Sequence, residues 1–266
     1  MAAIGISLSM WAASLRSELQ YRANFLILVL MGVVFQGTGF AFIWVVLTRF
    51  QTLAGWTLGE VAFLYGLRLL MHAFTGMLAG DLHNLEWKVR QGEFDRYLVR
   101  PISPLLQILF QRIQVNIFGD LIGGLALFVA ASTLVSVDWT PLAVFYLVLA
   151  LLGGALVELA LRLLFSALAF RFLSINGFMF LLDTFFTNFG NYPLNIFGSV
   201  LEFLLTFGVP LAFTAYFPAA VLLGRTGELR VSPLLAYGAP LAGIVWLCVA
   251  LLVFHHEMRN YQSAGH

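Results

Sequence analysis

The chain has 266 residues, of which 61% are hydrophobic and only 10% charged, and its net charge is +1. A soluble domain carries about 25% charged residues, so this set cannot cover a water-facing surface, and no basic face exists to follow the phosphates of a nucleic acid. A mean hydropathy of +0.93 and 26 phenylalanines point to an all-α integral membrane protein.

Within residues 1–22, Ile4, Leu8, Trp11, Leu15 and Leu19 recur at helical spacing, while Ser7, Ser14, Ser17 and Glu18 lie elsewhere around the wheel. The pattern fits an amphipathic helix lying in the membrane interface, or a plain extension of the first membrane helix. The first apolar run begins near Phe25, too late and too long for a signal-peptide core, so that run is expected to stay in the mature protein.

Apolar runs then follow at 25–47, 61–79, 113–135, 142–170, 174–189 and 234–254. Six membrane spans are therefore expected. The stretch 196–216 is apolar enough for a seventh, but Pro193 and Pro218 bound it and Gly208-Val209-Pro210 breaks it. Proline in a helix interior removes a hydrogen bond and costs about 3 kcal/mol or more. The segment is read as two short re-entrant helices, covering 193–218, that enter the membrane and return to the same side.

Charge placement tests the count. With six spans, one side holds Arg16, Arg22, Lys88, Arg90, Arg96, Arg100, Arg112, Arg171 and Arg259, and the other Arg49, Arg225 and Arg230. This puts both termini and the block 83–104 in the cytoplasm. Seven spans give a similar imbalance, so the prolines decide. The whole chain, 1–266, reads as one membrane domain. Its one cysteine, Cys248, lies in an apolar run. It allows no internal disulfide and is expected to be a small buried apolar residue.

The block 86–106, "EWKVRQGEFDRYLVRPISPLL", holds seven of the chain's 14 basic and 13 acidic side chains, including the lone lysine, Lys88. Leu85, Trp87, Val89, Phe94, Tyr97 and Leu98 are interleaved with them. A short amphipathic helix over 83–90, stopped by Gly92 and separated from the next span by Pro101 and Pro104, fits the pattern. Such a knob suits the docking of another protein. It equally suits a loop snorkelling its arginines toward anionic lipid.

"GEFDRYLVRPISPLL" resembles the loop signature of ABC-2-type transporter permeases, in the bacterial subfamily that reads Gly-x-Leu/Phe-Asp-x-x-Leu-x-x-Pro. Gly92, Phe94, Asp95, Leu98, Arg100 and Pro101 match it. "NYPLNIFGSVLEFLLTFGVPLAFTAYFPAAVLLG" is similar to that subfamily's later pattern at Tyr192, Pro193, Pro210 and Pro218. The resemblance implies an interfacial N-terminal helix, a cytoplasmic coupling helix between spans two and three, and re-entrant helices between spans five and six. It implies that the coupling helix docks into a separate ATP-hydrolysing subunit, with His83, Glu86, Trp87, Arg90, Gly92, Phe94, Asp95, Arg96, Tyr97, Arg100 and Pro101 at that contact. It further implies a pair of permeases, identical or homologous, in a bacterial inner membrane, exporting a hydrophobic or amphipathic substrate.

The chain has no Gly-Lys-Ser/Thr phosphate loop, since Trp87 precedes its lone lysine. Catalytic residues, metal ligands and a cofactor of its own are not expected, and ATP and Mg would belong to the partner. Ionisable groups inside the membrane are costly and mark function or packing. Arg68 and His72 lie four apart in span two, Asp120 in span three, Glu158 and Arg162 four apart in span four, Asp183 in span five and Glu202 in the re-entrant region. With Tyr192, Pro193 and Pro210 they are candidates for a substrate path or gate, Arg68 facing Asp183 or Asp120. Glu158–Arg162 reads as a self-neutralising pair that fixes packing. His72 reads as a packed histidine.

The Gly76/Gly80 and Gly119/Gly123 spacings favour close helix packing within the chain. Phe178, Phe180, Phe185, Phe186 and Phe189 make span five aromatic, either to pack or to line a route. Two rivals stand beside the permease reading. A polytopic membrane enzyme would need a site, and His255-His256-Glu257 is a poor one. An ATP-independent secondary transporter would need paired broken helices, and one is visible.

Overall fold

The computed structural model describes residues 2–50, 52–172 and 174–262, with side chains from Gly5 onward, so Ile4 of the expected apolar stripe lies outside the described side chains. The first helix, α1 (Ala2–Gln20), packs along α6 (Pro104–Gln111). The indole of Trp11 donates to the Met77 carbonyl at 3.0 Å, and the Ser14 hydroxyl accepts from Ile113 N at 3.1 Å. Leu8 and Leu19 remain exposed.

The longest helix is α2 (Arg22–Phe50), about 44 Å at 1.5 Å per residue. It ends in a hairpin of two two-residue strands, β1 (Thr52–Leu53) and β2 (Trp56–Thr57). The turn between them holds Ala54 and Gly55 at φ 49 and 86, the left-handed pair that a two-residue hairpin needs. Next, α3 (Leu58–Ala79) starts on a capping box, in which Thr57 and Glu60 each satisfy the other's backbone N–H. It is the central helix: 72% of its most apolar window is buried, against 17% for α2.

At the far end of α3 the charged block folds back. A 3-10 turn at Leu82–Asn84 leads into α4 (Leu85–Arg90). Gly92, at φ 69, makes the stop that the sequence predicts, and a second short helix, α5 (Asp95–Leu98), follows. After α6 the chain turns 71° into α7 (Asn116–Ser132). At this bend Ser14 takes Ile113 N, and the Gln114 side-chain amide ties the bend to the Gly80 carbonyl at the end of α3. Then come α8 (Pro141–Ala167), capped by Thr140, and α9 (Asn176–Asn188).

The segment 194–222 is broken as its prolines predict. A 3-10 turn (Leu194–Phe197) runs into α10 (Gly198–Phe203), and a π turn (Leu204–Gly208) stops at Val209-Pro210. A second 3-10 turn (Leu211–Phe213) and α11 (Tyr216–Leu222) follow, with every residue from Leu211 to Ala220 buried. Both ends of the segment reach one hairpin: Asn195 donates to the Ala54 carbonyl at 3.4 Å, and Arg225 to the Gly55 carbonyl at 2.9 Å. The described chain closes with α12 (Pro233–Tyr237) and α13 (Ala239–Arg259).

Glycines set the closest helix contacts. Gly32 of α2 meets Gly119 of α7, and Gly153 of α8 meets Gly243 of α13, where a methyl group on either would strike backbone. Gly76 and Gly80 face Ile117 and the Arg112 carbonyl. These spacings thus serve packing inside the chain. The core has two parts, one beside the hairpin around Trp56, Phe63, Phe186 and Phe217, the other beside the charged block around Leu82, Phe94, Ile108 and Phe254.

By length and composition, α2, α3, Pro141–Phe170 and α13 can cross a membrane, and α6 with α7 would make a fifth as a bent pair. The expected span 174–189 is instead the 13-residue α9, about 20 Å long, short of about 30 Å of hydrocarbon. It still leads from the charged block, where Glu86 binds its first turn, toward the hairpin, which Asn195 touches. Cys248 is exposed on the outer face of α13 rather than buried. A membrane helix turns apolar residues outward, so an apolar run does not specify an inner face.

Candidate functional site

Five helices, α2, α3, α7, α8 and α9, contribute one polar side chain after another to a continuous chain. The Tyr65 hydroxyl of α3 donates to the Gln36 side-chain oxygen of α2 at 2.7 Å, and the Gln36 amide donates to Asp120 of α7 at 2.7 Å. The other Asp120 oxygen lies 3.7 Å from His72 Nε2, and His72 Nδ1 lies 2.7 Å from Glu158 Oε1 on α8. That same oxygen accepts from Arg162 Nε at 3.1 Å and Nη2 at 2.9 Å. Arg162 Nη1 then meets Asp183 of α9 at 3.1 Å, and Asp183 meets His83, beside α4, at 3.1 Å. Asp120, Glu158 and Arg162 are all buried.

The local reason is helical spacing. Positions 158 and 162 share a face one turn apart, with the acid first, the favourable order for the helix dipole. Positions 65, 68 and 72 share a face of α3, so one side of that helix offers a phenol, a guanidinium and an imidazole. In a low-dielectric interior each charge needs a partner, and the chain supplies one to every member except Arg68. The expected Glu158–Arg162 pair is present. The expected contact of Arg68 with Asp183 or Asp120 is not: Asp183 is taken by Arg162 and His83, and Asp120 by Gln36 and His72. His72 is packed, as a bridge between α7 and α8.

Other candidates lie apart. Glu202 is 3.0 Å from Arg230 near the hairpin. Pro193 precedes the first turn of the broken segment, and Pro210 sits at its break. Tyr192 lines an apolar groove beside the polar chain. Phe186 is buried under Arg68, whereas Phe178 and Phe180 face outward. Gln36 was legible as a lone amide in the apolar run of α2, the kind of side chain that hydrogen-bonds between membrane helices. Tyr65 carried no comparable signal, since a tyrosine near a helix end reads as an interface residue.

Two open cavities flank this chain. A polar cleft of about 720 Å³ is lined by Asn24, Arg68, His83, Arg112, Arg162 and Asp183 among others. An apolar groove of about 850 Å³ runs between α2 and the end of α9, past Ile27, Met31, Val34, Phe42 and Tyr192. Phe35, Gln36 and Thr187 line both, so the two adjoin.

The charged block divides into anchors and a free face. Glu86 is buried, and its carboxylate accepts from Ile175 N at 2.7 Å and Asn176 N at 2.9 Å, the first turn of α9. Lys88 is buried in an ion pair with Asp81. Phe94 is fully buried against Phe170 and Tyr261, and Tyr97 is buried with its hydroxyl on Gln111. Asp95 is half-buried, and Gly92 forms the turn. Trp87, Arg90, Arg96, Leu98, Val99, Arg100 and Pro101 face out, Trp87 with 55% of its surface exposed.

At the opposite end Arg225 gathers the hairpin. It meets Glu60 at 2.7 Å and Glu228 at 2.6 Å, and its guanidinium lies 4.9 Å over the Trp56 ring. Burial works against the Arg225 charge, but Glu228 and Glu60 outweigh it and hold its pKa above the usual arginine value.

No curated protein and no solved structure matched the chain. Residues 33–265 match the family described as "ABC-2 family transporter protein". That match takes in the greater part of α2 and all of α3 to α13, with the charged block, the broken segment and the buried polar chain, and the chain therefore belongs to the ABC-2 transporter family as a membrane-embedded permease.

Proposed function

We propose that this permease is the membrane subunit of an ATP-driven exporter. In this reading it has six spans, with α7 and α9 the short ones, an interfacial α1, and the broken segment re-entrant from the outer side. The termini and the charged block face the cytoplasm of a bacterial inner membrane. A second permease, identical or homologous, stands beside it, and two copies of an ATPase that holds ATP and Mg stand beneath.

The observation that carries this is the build of the charged block. A loop that merely snorkelled toward lipid would not need Glu86, Phe94 and Tyr97 buried. Those anchors fix a rigid knob that offers Trp87, Arg90, Arg96, Arg100 and Pro101 outward, a tryptophan and arginine set suited to a protein contact. The cavity pair beside the buried polar chain supports a substrate that is amphipathic.

The test is co-purification. The tagged chain, expressed with its neighbouring genes and purified in mild detergent, retains a stoichiometric ATPase. Trp87→Ala with Arg96→Glu loses that ATPase while membrane insertion is unchanged. Full retention by the double variant would overturn the coupling role. Transport by vesicles that lack both ATP and the ATPase would favour a secondary transporter instead.

A further inference from the structure

Among the described residues, Arg68 is a buried cation with no hydrogen bond or ion pair of its own, and Glu158 acts on it only through space. It is 4% exposed, its Nε is buried without a hydrogen-bond partner, and its close neighbour is the face of the Phe186 ring, 5.9 Å away. A buried guanidinium without a carboxylate in contact is costly. Its surroundings lean the same way. Arg112, Arg162, His72 and His83 line the same cleft, against Glu18 and Asp183, and Asp183 is already engaged by Arg162 and His83.

Position matters as much as charge. Arg68 lies about 15–17 Å from either end of α3, half-way along it. A lipid resting in either leaflet keeps its head group at the surface, so an anion at this depth is not one of the surrounding lipids in its normal seat. The apolar groove that adjoins the cleft runs along α2 from Ile27 to Phe42, about 22 Å. That length and lining suit an alkyl chain.

The geometry points to a binding site for an anionic amphiphile, its phosphate or carboxylate head on Arg68 in the polar cleft and its alkyl tail along α2 in the adjoining groove. This rests on the permease reading and narrows its substrate class. The guanidinium would donate two parallel hydrogen bonds to the head group, which a lysine cannot match. The ligand thus supplies a direct counter-charge, where the fold offers only Glu158 at longer range, already in contact with His72 and Arg162.

The test reads binding to the full-length chain in phosphatidylcholine nanodiscs, without ATPase or ATP, so it stands or falls separately from the export reading. Three probes are compared: hexadecyl phosphate with a diazirine near its tail end, the corresponding neutral hexadecanol, and inorganic phosphate as competitor. Adducts are mapped by peptide mass spectrometry. The phosphate ester is expected to label residues 27–42 about tenfold more than the alcohol, the ratio expected for one charge-assisted contact. Arg68→Gln should bring the ester down to the level of the alcohol, and Arg68→Lys should restore part of the difference. Val34→Trp, which narrows the groove and leaves Arg68 in place, should lower labelling by both probes, and serves if the Arg68 variants do not fold. Equal labelling by ester and alcohol, or labelling unchanged in Arg68→Gln or Val34→Trp, would overturn the proposal. So would inorganic phosphate displacing the ester at equal concentration, which would make this a site for a free anion.

Discussion

Glu158 is the side chain on which the buried polar chain turns. One of its oxygens serves both His72 and Arg162. Removing it leaves Arg162 with Asp183 alone, and breaking a buried ion pair by deleting one partner costs about 3–5 kcal/mol. Glu158→Leu is therefore expected to lower the thermal midpoint of the detergent-solubilised protein sharply. Glu158→Leu with Arg162→Met deletes both charges and should recover much of the loss. A double variant less stable than the single one would show that Arg162 has a role beyond neutralising Glu158. Glu86 makes the complementary case. It closes the two backbone donors at the start of α9, and loss of such a cap costs about 0.5–2 kcal/mol. Hydrogen exchange in Glu86→Ala should quicken in residues 175–179 while α3 stays protected.

Among elements, α8 and α13 approach through glycine on both sides. Gly243→Leu would drive a side chain into the Gly153 backbone, where neither helix can give without moving as a whole. Overpacking typically costs about 1–3 kcal/mol, and a backbone collision belongs at the upper end. The expected outcome is a lowered yield of folded protein by size-exclusion chromatography, with Gly37→Leu, which meets open space on α2, as the tolerated control. Element boundaries were largely legible, because caps and prolines are local signals. Thr57-x-x-Glu60 starts α3, Thr140-Pro141 starts α8, and Val209-Pro210 breaks the late segment where the sequence says it must. What stayed hidden was which faces meet. Arg68 and Asp120 are natural partners by charge, yet Gln36 and His72 reach Asp120 first, and only the packing of α2 against α7 at Gly32 and Gly119 decides that. The division of the charged block into anchors and outward residues was hidden for the same reason. Glu86 and Arg90 look alike in a polar run until the first turn of α9 is seen to need an acceptor.

For the molecule as a whole, the two ends are held by different chemistry. Beside the charged block the contacts are mostly aromatic and apolar, with Phe94, Phe170, Phe254 and Tyr261 in one cluster. Beside the hairpin, Arg225 joins the start of α3 to the end of the broken segment through two carboxylates and a carbonyl. Arg225→Ala removes all three and is expected to cost about 1.5–3 kcal/mol, the scale of hydrogen bonds to charged groups. Limited proteolysis should then cut first between residues 223 and 233, with the charged block still resistant. Cleavage beginning in the block would mean that the two ends are not independent.

The Glu86 carboxylate also has a mechanical meaning. It rivets the charged knob to the foot of α9, and α9 is one wall of the cavities that Arg68 and Tyr192 line. A push on the knob would thus reach one end of a lever only 13 residues long, whose other end runs into the turn at Gly190 and Pro193. In the proposed exporter such a lever would convert a small stroke at the knob into a change in the width of the adjoining cavities, with no need for any signal to cross the bundle through α3. On the proposed coupling to an ATPase, spin labels on Gln91 and Leu181 should hold a fixed separation through every nucleotide state, while labels on Val34 and Leu181 should not.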